Sequence, residues 1–414
     1  MKKQLLFLAV GCLSVFSQAQ QLAFPGAEGF GRFAIGGRGG ATVHVTNLND
    51  SGAGSLREAV SQPHRTVVFD LSGVIRIKSR LMISPYITIA GQTAPEGGIV
   101  VYGDGVTMTG GNDIIIRYIK LRGSVAMSRG TCTLAADNAH DIIFDHVSIE
   151  WGRWDNLHIK ESDKITVQNC LIGEGINPQM FGALLENPTH LSIFRCLWVD
   201  NQSRNPKAKA GIEVVNNVIY NWGSNGLVGG HSGADHFQDI INNYFVAGPN
   251  SSKAFIGMFS ATDHVYHAGN VVDLNKNGEL DGRAVCDSDF INAKATLVTT
   301  RQNSAVTTIV SAKDAFETVL AYCGDLLHRD EVDKRLIGYV KSMGTQGKVI
   351  KDEAEVGGQP AIKSKKAAKD SDQDGIPDSW EKKNGMNRKD PKDASTITEN
   401  GYSNLELYIN SLEK

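Results

Sequence analysis

The stretch SRNPKAKAG (residues 203–211) places Arg204, Lys207 and Lys209 within six residues, fixed by Asn205-Pro206 and released by Gly211, with Asp200 as the nearby acid. Three cations this close repel one another unless each faces water or an anion. A turn stiffened by proline can hold them toward something outside the chain. The sharper reading is a subsite that receives an acid; the bland one is a solvated basic turn.

A second group of chemistry-bearing residues stands near the C-terminus. DSDQDGIPDSWE (370–381) puts Asp370, Asp372 and Asp374 at positions 1, 3 and 5 of a loop, and Gly375 at 6. The Ile376 carbonyl falls at position 7, Asp378 at 9 and Glu381 at 12. A hard cation takes roughly six to eight oxygens, which alternate carboxylates, a glycine bend and a closing bidentate glutamate supply. Calcium is expected there, holding structure rather than doing chemistry. DLNKNGELDGRA (273–284) imitates the first half of the pattern but ends on Ala284, so it reads as a surface turn.

The elements that must position these groups come from the rest of the chain. Its 414 residues carry a formal charge of −3 and are 41% hydrophobic, which suits one large core with a smaller appendage. Near-neutrality argues against a nucleic-acid-binding face, so the cation cluster acts locally. The N-terminus, MKKQLLFLAVGCLSVFSQAQ, joins two lysines to an apolar run and to small residues at Ser17-Gln18-Ala19, the pattern of an export leader over 1–19. The run is too short to span a bilayer. A secreted or periplasmic protein is expected, with a surface lipoprotein through Cys12 as the alternative. Of six cysteines, five lie beyond the leader, at spacings that make no disulfide framework.

From about residue 111 a short β-branched run recurs, as in IIFDHVSIEWG (142–152), ITVQNCLIGEG (165–175), LSIFRCLWVDN (191–201) and IEVVNNVIYNWG (212–223). Alignment on the central residue gives Tyr118, His146, Asn169, Arg195, Asn216, Asn242 and Gly269, at intervals of 28, 23, 26, 21, 26 and 27 residues. That period without helical spacing indicates a solenoid. The expected fold is all-β, a right-handed parallel β-helix over residues 20–300. The next slot reads Cys170, Cys196, Asn217, Asn243, Asn270, a stack of thiols passing into an asparagine ladder. The two thiols are close enough to bridge, but free buried thiols fit a ladder better. GSLREAVSQ (54–62) suits a short helix capping the open end of the coil. Helices are expected over 301–350 on the outside of the coil, a linker over 351–369, and the calcium-loop tail over 370–414. A monomer is expected.

At this point FPGAEGFGRFAIGGRGG (24–40), LNDSGAGSLREAV (48–60), ITIAGQTAPEGGI (87–99), IIFDHVSIEWG, SRNPK (203–207) and DSDQDGIPDSWEKKNGMN (370–387) carry a joint likeness. The chain resembles the pectate lyases of polysaccharide-degrading bacteria over nearly its whole mature length. The resemblance implies β-elimination on an acidic pectic polysaccharide, with calcium bridging the substrate carboxylate to protein carboxylates. The family's R-x-P-x-x-R pattern maps onto RNPKAK, so Arg204 matches the catalytic base and Lys209 stands where a second, substrate-binding arginine is usual. Lysine there keeps the charge but loses the bidentate fork. Arginine's ordinary pKa lies above ~12, so Lys207 or Lys209 stays open as the base; otherwise both hold substrate. Asp155 is the coil's candidate metal ligand, with Glu186 a possible helper. Cys132, Trp154, His158 and Met180 stand where the family has carboxylates or a lysine. Arg153 is either a contact to an acidic sugar or a rim charge, and Asp145 and His146 are structural.

Two rival functions differ in kind. A glycosidase of the polygalacturonase type needs paired carboxylates, and the coil has neither Asp-Asp nor Asn-Thr-Asp. A binding protein that has lost its metal site would use Trp151 and Trp154 as sugar platforms, although both could equally be packing.

Overall fold

The computed structural model describes residues 20–413, so the leader and Cys12 lie outside the described residues. The chain winds as a parallel β-helix whose rungs build three sheets, of 11, 10 and 8 strands. The first sheet includes 112–117, 140–145, 163–168, 189–194, 212–215 and 236–241; the second includes 120–122, 148–150, 171–173, 197–199, 218–220 and 244–246. The third runs through 81–82, 106–107, 134–137, 155–160, 181–186, 207–209, 227–228 and 256–257. Pairing is parallel except where 271–273 meets 283–284. Among the described residues no helix is long and apolar enough to cross a membrane.

The residues that align the repeat share one backbone state. Tyr118, His146, Asn169, Arg195, Asn216, Asn242 and Gly269 all have positive φ, between 50° and 63°. They are the corners at which the chain turns from the first sheet into the second. Asn and Gly tolerate this left-handed region best, which is why they recur there. The next position points inward and forms the expected ladder. Backbone N–H groups of Cys196, Asn217 and Asn243 donate to the side-chain oxygens of Asn217, Asn243 and Asn270, at 3.0, 2.9 and 2.9 Å. Cys170 and Cys196 are buried free thiols.

Both ends of the core are covered. The helix Leu56–Ala59, with Ser55 as N-cap, buries Leu56 and Ala59 in the main apolar cluster. At the far end, Asp287–Asn292 inserts Phe290 into the same cluster. The glycine-rich segment 26–40 lies across the first sheet, where backbone N–H groups of Gly31 and Gly37 donate to Thr166 and Thr88. Gly31 cannot carry a side chain there, because a Cβ would sit 2.1 Å from the Ile142 carbonyl.

Helices Ala312–Tyr322 and Glu331–Lys341 pack Phe316, Val319, Leu336 and Val340 on the second sheet. Buried ions fix them there. Lys120 meets Asp325 at 2.6 Å, and Arg122 meets Glu150, Asp330 and Asp333 at 3.0, 2.6 and 3.0 Å. Residues 351–369 run along the coil, with Glu353 buried against Ser124 and the Lys365 carbonyl accepting from Ser72. The tail then docks through Ile376, Leu405, Tyr408 and Ile409 against Ala90.

Candidate active site

The outward face of the third sheet collects the charged residues. Side chains alternate across a strand, so Leu157, Ile159, Ala183, Leu185 and Ala208 enter the core while their neighbours face out. Register then stacks His158, Leu184, Lys207 and Val228 in one row, and Lys160, Glu186 and Lys209 in the next. Asp155 pairs with Phe181, and Phe181 bridges Ser203.

The expected cation cluster is assembled on this face. Arg204, itself at φ 62°, extends over the Phe181 ring at 4.1 Å and donates to both Asp155 oxygens at 3.1 Å. Lys209 donates to Glu186 at 3.3 Å. Lys207, 7% exposed, lies 3.0 Å from Nδ1 of His231. Burial lowers the Lys207 pKa, and repulsion from Arg204 and Lys209 adds to the shift. Burial pushes Asp155 up to about 6, against the pull of Arg204 and His158. His158 lies 3.1 Å from Asp137 and 3.8 Å from Glu186. Burial opposes its charged form, but these carboxylates win and raise its pKa.

Asp155 was expected as a metal ligand, with Glu186 helping. The donor chemistry of the coil does not fit a resident calcium. Asp155, Glu186 and Asp137 each face a protein cation: Arg204, Lys209 and His158. Among the described residues, no three His, Cys, Asp or Glu ligand atoms of the coil lie within 4.8 Å of one another. Cys132, at the usual acid position, is buried, and burial with Asp155 nearby pushes its thiol up to about 12, so it offers no anionic oxygen. No step below is routed through a metal in the coil.

One further expectation is corrected, and one open alternative is decided. Arg153 does not reach the site; its guanidinium donates to the carbonyls of Val125, Met127 and Asn177 at 2.9, 2.7 and 2.9 Å, clamping two loops. Trp151 is fully buried and bonded to Glu174, whereas Trp154 is 37% exposed beside Asp155. Asp145 is buried against Arg117 at 2.6 Å, and His146 stacks on Tyr118. Both are structural.

In the tail, Asp370, Asp372 and Asp374 converge, as do Asp374, Glu381 and Asp393. Both oxygens of Asp372 and of Glu381 and one each of Asp374 and Asp393 are buried without a hydrogen-bond partner. Such atoms are costly unless a cation satisfies them, so this set fits calcium. Gly375, at φ 94°, makes the bend, and a Cβ there would meet Thr42 at 2.9 Å. Ile376, expected for its carbonyl, buries its side chain under the loop. Asp378 turns away, accepting from Ser371 at 2.8 Å, and Asp393 from the following turn joins the cluster instead. Sequence spacing could not show Asp393, Phe181 or His231, since none belongs to a contiguous pattern.

A parallel β-helix with a cationic sheet face suits an extended acidic polymer, and comparison with known proteins supplies the class, that of the polysaccharide lyases. The chain is 43% identical over 407 residues to a probable pectate lyase C of Aspergillus fumigatus, covering 97% of this chain and 96% of that one. It belongs to the pectate lyase family. This relative is fungal, so the likeness extends beyond the bacterial enzymes. Among solved structures, the thermostable pectate lyase PL 47 superposes with a TM-score of 0.56 at 12% identity, covering 75% of this chain and 99% of that one. Jun a 1, the major cedar-pollen allergen, does so at 0.54 and 15%, covering 72% and 92%. At these identities they show the fold. No family model matches the chain.

Proposed function

We propose that this enzyme cleaves an acidic, polygalacturonate-like pectic polysaccharide by β-elimination, acting after export as a secreted or periplasmic protein. The observation that carries the reading is the row of Arg204, Lys207 and Lys209 on one sheet face, each held by a different partner. Removing the C5 proton of a uronate creates negative charge on the adjacent carboxylate, and fixed cations stabilise that charge as it forms. Arg204 and Lys209 are placed to receive the carboxylate, and Trp154 offers an exposed ring for a neighbouring sugar. The C4–O bond then breaks and leaves a C4–C5 double bond. Calcium in the tail would hold the loop to the coil.

Polygalacturonate, fully methylated pectin and rhamnogalacturonan separate the readings. Ultraviolet absorbance should grow on polygalacturonate and much less on the methylated polymer. Reducing ends without absorbance would mean hydrolysis, and retention of polymer without either would mean a binding protein.

A further inference from the structure

The row that contains Lys207 does not end there. Register carries it through Val228 to Gly257, two rungs further along the third sheet at ~4.8 Å each. At that end the surface sinks into an open depression of about 510 Å³, bordered by His231, the neighbour of Lys207. The volume falls within the ~300–1,000 Å³ usual for small-ligand sites. Gly257 lines it, and a Cβ there would lie 2.8 Å from Nδ2 of Asn225, so the missing side chain keeps the space beside that amide open.

The charges around this depression are one-sided. Lys253 and Lys294 both line it and are both exposed, and among the described residues neither forms an ion pair. Asp289 is the only acid among the described lining residues, and Arg283 already answers it through two hydrogen bonds of 2.8 Å. Those bonds hold the Asp289 carboxyl down at about 2. Met258, 45% exposed, adds an apolar, adaptable wall. A uronate offers the complement of these groups: a carboxylate for the ammonium ions, hydroxyls for the Asn225 amide and an apolar ring face for the thioether.

Building on the elimination reading, we propose that this depression is a distal subsite, in which Lys253 and Lys294 bind the carboxylate of a uronate unit remote from the bond that breaks. The occupant is a further part of the same polymer chain, because the depression continues the sheet row that carries Lys207. Holding a remote unit fixes the register of the chain along the sheet, so its binding energy is spent on orienting the unit that reacts. Longer substrates therefore gain, and the gain depends on two ammonium ions that stand open to water. Salt screens such contacts, so the advantage of length should shrink as ionic strength rises.

The test measures kcat/KM for unsaturated-product formation from galacturonate trimer, tetramer and hexamer. It compares wild type with the double variant Lys253→Gln/Lys294→Gln and its charge-keeping counterpart Lys253→Arg/Lys294→Arg, with circular dichroism to verify folding. The wild-type value should rise with length. The hexamer-to-trimer ratio should fall about tenfold in the glutamine variant, the size of two exposed charge contacts, and return in the arginine variant. A glutamine variant whose length series superimposes on the wild type overturns the subsite and leaves elimination intact. If the double variant is misfolded, the two single glutamine variants are read in the same way. No unsaturated product from the wild type would sink the elimination reading instead. The oligomer series is then titrated calorimetrically, and hexamer affinity that the glutamine variant does not lower overturns the subsite as well.

Discussion

Arg204 donates to both carboxylate oxygens of Asp155 at 3.1 Å, reaching across the intervening strand over the face of Phe181. The pair spans two rung spacings of the third sheet, ~4.8 Å each. Asp155 is fully buried, and Arg204 keeps 18% of its side chain exposed. Removing the carboxylate leaves the guanidinium without its anchor. Asp155→Ala should therefore cost about 2 kcal/mol, less than a fully buried pair because Arg204 retains solvent. Thermal unfolding of the variant measures this, and an unchanged midpoint would show that the pair carries no structural load.

Calcium in the tail should show itself through pH. Without a cation, burial and mutual repulsion push Asp374 and Glu381 up to about 7. Both values lie above the unfolded ones, so the folded empty loop binds more protons than the unfolded chain. That contribution is complete below about pH 4 and is lost as pH rises through about 7. Chelated protein should thus hold its tail better at pH 5 than at pH 8, and calcium should stabilise most at pH 8. Calorimetry with and without chelator checks the order; equal calcium shifts at the two pH values would contradict it.

The asparagine ladder makes a separate prediction. Asn243 accepts from the Asn217 backbone and donates to the Val214 carbonyl at 2.8 Å, all out of reach of water. Asn243→Ala leaves these groups unsatisfied and opens a small cavity, which should cost about 2–4 kcal/mol. Denaturant unfolding reads the loss, and a variant within 0.5 kcal/mol of wild type, the ordinary scatter of about ±0.5 for surface changes, would contradict it.

The coil was legible in the sequence because its corners demand one backbone state. Asn169, Asn216 and Asn242 mark it directly, and Tyr118 and Arg195 are recovered only by the period. The cation row was equally legible, since Pro206 and three basic residues fall within one short stretch. Partners were not. Asp155, Phe181 and His231 reach that row only through register between rungs, and loops of unequal length between rungs hide it. Arg153 misled for the same reason: its type suits an acidic sugar, but folding brings three carbonyls to it first. In the tail, Asp393 lies twelve residues past Glu381, beyond any fixed spacing.

The cationic face is tested most directly by the initial rate of double-bond formation on polygalacturonate by Arg204→Ala beside wild type. Strong absorbance growth from the wild type and a fall of about 10²-fold or more in a folded variant are expected, the size of a lost transition-state charge contact. Undiminished growth from Arg204→Ala would show that the sheet face carrying this guanidinium is not where the polymer is cut.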